Sequence, residues 1–159
     1  MRNTTLCFLI KGDEVCLGLK KRGFGVNRWN GFGGKVGVDE NPTNCVRREV
    51  KEEIGVNLGD INKVAEITFL FPFADKEKNW DQVVHVYSSD DWTGEPTEGE
   101  EMAPRWFSKG SLPYDQMWDD DKIWLPIALE GKKLKAEFSF DKNEKVIDQK
   151  MEIVEDFNG

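Results

Sequence analysis

The chain has 159 residues, 38% hydrophobic and 33% charged, which is enough apolar material for one folded domain (1–159) without disulfide or metal staples and excludes a disordered chain. Its 22 basic and 30 acidic side chains leave a formal charge of -8, which argues against a nucleic acid polymer as partner. The apolar run Leu6–Ile10 is too short for a signal peptide or a membrane span, and Cys7, Cys16 and Cys45 stand in no metal-binding spacing, so we expect reduced thiols and a cytoplasmic protein.

In chain order, Thr5–Ile10 and Glu14–Lys20 read as strands joined by a tight turn at Gly12-Asp13. Gly23, Gly25, Gly31, Gly33, Gly34 and Gly37 then crowd into loops where backbone must approach something closely. Asn41 and Pro42 form a helix start, as cap and first helical residue, and Gly55 is a stop. Between them Val46, Val50 and Ile54 recur every fourth residue and give the helix an apolar edge. Lys63–Phe71 and Gln82–Ser88 are rich in β-branched and aromatic residues and read as strands, with a polar loop from Pro72 to Asn79. Asp121–Glu130 reads as a second helix, and Leu134–Phe140 and Lys145–Val154 as a closing hairpin around 141–143. Strands and helices mix without regular alternation, so the predicted class is α/β (α+β), a mixed β-sheet sandwiched between helices.

The first helix carries the chemistry. Glu49, Glu52 and Glu53 lie at i, i+3 and i+4 and project from one face. Their repulsion amounts to only about 0.2–0.5 kcal/mol per pair, so a solvated charged face is the plain alternative. Two features favour a site: the glycine-rich loop just upstream, and the preference of magnesium for hard carboxylate and carbonyl oxygens. Arg48, four residues before Glu52, is placed to hold that glutamate by an ion pair.

Gly34, Glu40, Arg48, Glu49, Val50, Glu52, Glu53, Gly55 and Val56 fill every specified position of G-x5-E-x7-R-E-U-x-E-E-x-G-U, with U a bulky aliphatic residue. This segment resembles the Nudix box. The resemblance implies a Nudix fold and a hydrolase that drives water onto a diphosphate linkage with Mg2+, or Mn2+, as cofactor. It also implies metal ligation by Glu49, Glu52 and Glu53 and the carbonyl of Gly33, with Glu101 joining the metal shell. Glu53 is the expected general base, Glu52 the next choice, and Arg48 a supporting catalytic residue.

The flanking stretches Lys20–Gly25 and Arg28–Lys35, with Trp106-Phe107, Met117-Trp118 and Trp124, are similar to the MutT-homologue enzymes of animals, which hydrolyse oxidised purine nucleoside triphosphates. The likeness implies a nucleoside triphosphate as substrate. Asn30 is then expected to hydrogen-bond the purine, with Phe24, Phe69 and Trp118 lining its pocket. Thr5 and Lys20 are expected on the nucleoside or phosphate side, and Asp120 and Asp121 at the base edge, where adjacent buried carboxyls share a proton. Taken alone, Asp119-Asp120-Asp121 is a solvated turn or helix start, and most of the aromatics are core. His85 reads as structural and Cys45 as a small core residue.

The chain also departs from those enzymes. Asp119 replaces a proline and adds a third acid, residues 75–79 lengthen a loop, and Gln82 falls where a pocket methionine is expected. We expect a monomer that binds neither nucleic acid nor membrane. Two alternatives stay open: a Nudix hydrolase of another nucleoside diphosphate-linked substrate, and a nucleotide-binding domain that does not cut.

Overall fold

The computed structural model describes residues 1–158. The first hairpin forms as its sequence dictates: β1 (Arg2–Lys11) and β2 (Glu14–Lys20) pair antiparallel, Leu9 opposite Cys16 and Lys11 opposite Glu14. The chain continues through β3 (Trp29–Asn30), α1 (Pro42–Ile54), β4 (Asn57–Leu58), β5 (Asn62–Leu70), β6 (Gln82–Ser89), β7 (Trp92–Thr93), β8 (Met102–Ser108), α2 (Asp121–Leu129), β9 (Lys133–Phe140) and β10 (Val146–Val154). Among the described residues, the strands of the main sheet run β10, β9, β5, β6, β1, β2, with β3 and β8 both pairing with β2. The contacts β1–β6 and β5–β9 are parallel and the other pairings antiparallel, so the sheet is mixed. β4 and β7 form a small separate ribbon.

Alternation along β1 sends its side chains to two cores. Cys7 and Leu9 pack with Val46, Val50 and Ile54 of α1, while Phe8 packs with Trp124, Leu125 and Ala128 of α2. The helices therefore cover opposite faces of the sheet, as the mixed pattern predicts. Each fully buried Leu, Ile or Phe contributes roughly 1.5–3 kcal/mol to this arrangement.

Helix α1 starts and stops where its sequence says. The Asn41 side chain accepts from the backbone N–H of Asn44 at 2.8 Å, and Gly55 ends the helix in the left-handed conformation at φ 72°.

The short strands β3, β4 and β7 and one long strand went unanticipated: the long one, β8, lies along the whole of β2, from Glu14 opposite Ser108 to Lys20 opposite Met102. The polar loop between β5 and β6 contains a single helical turn at Lys76–Lys78. No helix among the described residues is long and apolar enough to cross a membrane.

Strand β2 stays beside β1 only near the hairpin turn, then diverges to pair with β3 through Gly18 opposite Asn30. The glycine-rich loop fills the gap this leaves beside β1. Phe32 exchanges both backbone hydrogen bonds with Cys7, at 2.6 and 2.9 Å, and the Thr5 N–H donates to the Gly34 carbonyl at 2.8 Å. The contact is too close for larger residues: a Cβ on Gly33 would sit 1.9 Å from the Thr5 carbonyl oxygen. The split in the sheet thus places the loop between the α1 face and the α2 face.

Candidate active site

On the α1 face, Glu53 is 6% exposed and its Oε1 accepts the backbone N–H of Gly33 at 2.8 Å. Burial pushes its carboxyl up to about 8; the Gly33 N–H and Lys20 pull the other way, and the negative charges of Glu49 and Glu101 push it further up. Glu49 lies under Gly34, where an added Cβ would come within 2.5 Å of its carboxyl carbon. Glu52 projects outward, 59% exposed at its side chain. Glu101 is half exposed and pairs with Arg22 at 3.6 Å.

Arg48 makes the expected i+4 ion pair with Glu52, and it makes shorter contacts elsewhere. Its guanidinium forks onto Glu40, with Nε to Oε2 at 2.8 Å and Nη2 to Oε1 at 2.9 Å, and donates from Nη1 to Glu49 Oε1 at 2.9 Å. The contact with Glu52 is the longest of the set, 3.4 Å. Planar fork geometry explains the choice, because Glu40 takes two parallel bonds where Glu52 takes one. Arg48 holds Glu40 down to about 2, helped by the Gly37 N–H. Arg48 therefore braces Glu49 against the loop that leads into α1.

This donor set fits a hard divalent cation. Three carboxylates and the neighbouring loop carbonyls are the oxygen ligands that magnesium and manganese take. Glu53 is buried beside like charges that raise its proton affinity, and a cation at this point relieves that repulsion. Among the described residues no three acidic, histidine or cysteine side chains already converge on one point. Arg48 and the Gly33 amide instead each hold an Oε1, of Glu49 and Glu53, and no hydrogen bond is made to the Oε2 of either among those residues.

On the α2 side, and reaching through to the glycine loop, lies a cavity of about 370 Å3. The predicted residues Thr5, Lys20, Phe24, Asn30 and Gly33 line it from the loop side. Phe69, Trp118, Asp120 and Asp121 line it from the far side. The structure thus brings every proposed nucleoside-contacting residue to one cavity, with Gly33 at its junction with Glu53.

The Thr5 hydroxyl is engaged with the Gly34 backbone and Cys45 at 3.3–3.4 Å, so it braces the loop as well as lining the cavity. Asn30 uses its side-chain oxygen to accept the Gly31 N–H at 2.8 Å, which leaves its NH2 group to donate. Phe24, 58% exposed, stacks on Trp118 with centroids 5.1 Å apart, and Phe69 stacks on Phe138.

Asp120 and Asp121 are 1% and 3% exposed. Trp124 Nε1 donates to Asp120 Oδ2 at 2.7 Å, while Asp120 Oδ1 and Asp121 Oδ2 are buried without a hydrogen-bond partner among the described residues. Burial pushes Asp120 up to about 6 and Asp121 well above the usual carboxylate range, the second helped by the charge of Asp120. Buried oxygens with no partner beside a cavity are free to take hydrogen bonds from a ligand.

Asp119, the third acid of the run, does not join them. Its carboxylate accepts the Val146 N–H at 2.9 Å and pairs with Lys122 at 3.2 Å, outside the cavity lining. Gln82 does line the cavity, bonded to Thr4 and to the Trp80 carbonyl. His85 bonds Asn3 and Lys63, and Cys45 is fully buried, both in structural settings. Sequence reasoning missed Arg28, whose guanidinium lies 4.1 Å from the Trp118 ring centroid; the RGFG-x-x-R spacing carries no signal of that contact.

Comparison with known proteins agrees with this geometry. The profile of the NUDIX domain matches residues 1–126. The oxidized purine nucleoside triphosphate hydrolase of Danio rerio is 39% identical over 152 residues, 96% of this chain and 95% of that protein. The Mus musculus protein of the same name is 38% identical over 153 residues, 96% of each chain. The mutator MutT protein of Bacillus halodurans superposes with a TM-score of 0.82 at 20% identity, over 96% of this chain and 98% of that one, which establishes the shared fold. Nudix hydrolases generally need divalent metal ions. With its box segment folded into one loop-and-helix carboxylate face and a profile match over most of its length, the chain belongs to the Nudix family.

Proposed function

We propose that this protein hydrolyses oxidised purine nucleoside triphosphates such as 8-oxo-dGTP, with Mg2+ or Mn2+, to the nucleoside monophosphate and pyrophosphate. The observation that carries the reading is the continuity of one site: Gly33 touches Glu53 on one side and lines the aromatic cavity on the other. The activity printed for relatives that match nearly the whole chain supports the same substrate class.

The bound divalent ion, held by Glu49, Glu52, Glu53 and the Gly33 carbonyl with Glu101 nearby, would offset phosphate charge and acidify the attacking water. The chain's own residues do the rest. Glu53 accepts the water proton in its carboxylate form, which a cation beside it would favour, and burial raises its affinity for that proton. The water oxygen bonds to phosphorus, the bridging P–O bond breaks, and pyrophosphate leaves. Arg48 keeps Glu49 in place, and Lys20, lining the cavity at the loop side, faces the phosphates.

At the other end Trp118 offers a flat face to the purine, and Asn30 donates to it. The Asp120–Asp121 pair, sharing a proton, presents a donor and an acceptor to the base edge. The enzyme acts on free nucleotides as a monomer. A panel of oxidised and unmodified triphosphates, dinucleotides and nucleotide sugars, incubated with Mg2+ and analysed by mass, tests the reading. The oxidised purine triphosphate is consumed fastest and yields monophosphate and pyrophosphate; faster cleavage of another class, or no cleavage at all, contradicts it.

A further inference from the structure

The turn between β9 and β10 touches the base cavity through two ties, and neither uses a residue of the carboxylate face. Glu144, in that turn with φ 63°, forms an ion pair with Arg28. Arg28 lines the cavity and lays its guanidinium over the Trp118 ring. The second tie is the Val146 N–H donating to Asp119, the residue that follows Trp118 and precedes the Asp120–Asp121 pair. Trp118 is thus held through its ring by Arg28 and through its chain neighbour by Asp119, and both holds end on the same turn.

The turn itself is rigid by its own bonds. The Asp141 carboxylate accepts the N–H groups of Asn143 and Lys145, and the Asp141 and Glu144 N–H groups close onto the Lys145 and Asp141 carbonyls. Residues 21–28 include Gly23, Gly25 and Asn27, all at positive φ, and Phe24 and Val26 stand exposed.

We propose that Arg28, Glu144 and Asp119 are positioning residues that fix the width and tilt of the purine slot, with the β9–β10 turn as a clamp on Trp118. This rests on the reading of the cavity as a purine site. A flat stacking ring binds a base well only at one spacing and angle, so a clamp on it sets affinity for the base and leaves the distant phosphate chemistry alone.

Hydrolysis of 8-oxo-dGTP in Mg2+ buffer by the full chain tests this. Arg28→Ala raises KM about tenfold with kcat within about twofold, as expected when a cation over an indole is removed. Glu144→Gln raises KM by about threefold, and the double variant is no worse than Arg28→Ala alone, since Glu144 acts through Arg28. Arg28→Lys keeps the ion pair but not the planar stack and falls between. Asp119→Ala raises KM, while Asp119→Asn, which still accepts the Val146 N–H, restores it. Losses that fall on kcat, or Arg28 and Glu144 effects that multiply independently, overturn the clamp.

A second readout needs no nucleotide. Acrylamide quenching of each variant is compared with its own Trp118→Phe counterpart, which isolates the Trp118 fluorescence. The clamp predicts a more accessible Trp118 in Glu144→Gln; unchanged accessibility overturns it. If the wild-type chain cleaves no purine triphosphate, the proposed function fails, and this quenching result still decides the clamp.

Discussion

The backbone N–H of Gly33 donates to Glu53 Oε1 at 2.8 Å, while Gly33 itself walls the aromatic cavity and presses against the Thr5 carbonyl of β1. One residue thus joins sheet, aromatic cavity and carboxylate. Gly33→Ala pushes a Cβ into Thr5 and separates the three. Overpacking of this kind costs about 1–3 kcal/mol, and thermal denaturation should shift down by roughly 3–10 °C, with activity lost more completely than stability. A variant that melts and turns over like the wild type contradicts the junction.

Glu53→Gln keeps the size of the side chain and an oxygen for the Gly33 N–H but cannot accept the water proton. Turnover should fall about 10²- to 10⁴-fold while the melting temperature at neutral pH holds or rises. Near-normal kcat in a folded Glu53→Gln protein removes Glu53 from the role of base.

The same residue gives the metal-free protein a pH signature. The Glu53 carboxyl is raised from 4.5 to about 8, so between these values the folded chain holds a proton that the unfolded chain has released. Stability in chelator therefore declines as pH rises through that interval, and added Mg2+, which needs the carboxylate, restores more of it at the upper end. Thermal melts with chelator or Mg2+ across this interval check both statements, and Glu53→Gln should flatten the chelator curve.

Arg48 holds Glu40 and Glu49 together, and its removal should be felt through them. Arg48→Ala is expected to weaken Mg2+ affinity about 10- to 100-fold, the usual effect of losing a group that orients a ligand. Glu40 is held at about 2, so the stability drawn from this pair is present above 4.5 and disappears as pH falls toward 2. Arg48→Ala and wild type should accordingly melt at different temperatures at neutral pH and converge in acid. Arg48→Lys recovers only part, lacking the two-pronged fork.

Asp121 is buried, and with Asp120 it binds more protons folded than unfolded above the ordinary carboxylate range. Asp121→Asn removes that penalty, so the variant should be more thermostable than wild type at neutral pH. It should also bind the oxidised purine about tenfold more weakly, because the proton-sharing pair is gone. Greater stability with unchanged KM shows that the pair does not read the base.

Much of this was legible locally. Asn41-Pro42 and Gly55 bound α1 because caps depend on adjacent residues, and the glutamate triplet follows from helical spacing alone. What stayed hidden is non-local. Strand β8 carries Pro104 and Arg105 and reveals itself only by pairing with β2, 82 residues away at Lys20 opposite Met102 and 94 at Glu14 opposite Ser108. Arg48 turned to Glu40, eight residues back, because a loop folded under it brought a two-oxygen partner nearer than Glu52. Arg28, Trp118 and Glu144 meet from three distant segments, and Asp119 points to Val146 where its sequence neighbours point into the cavity.

The measurement that bears most directly on the proposed function is the ratio of kcat/KM for 8-oxo-dGTP over dGTP in Mg2+ buffer, with products identified by mass. The cavity built from Asn30, Trp118 and the Asp120–Asp121 pair predicts a ratio above about ten and the products monophosphate and pyrophosphate. A ratio at or below unity, or release of inorganic phosphate in place of pyrophosphate, contradicts it.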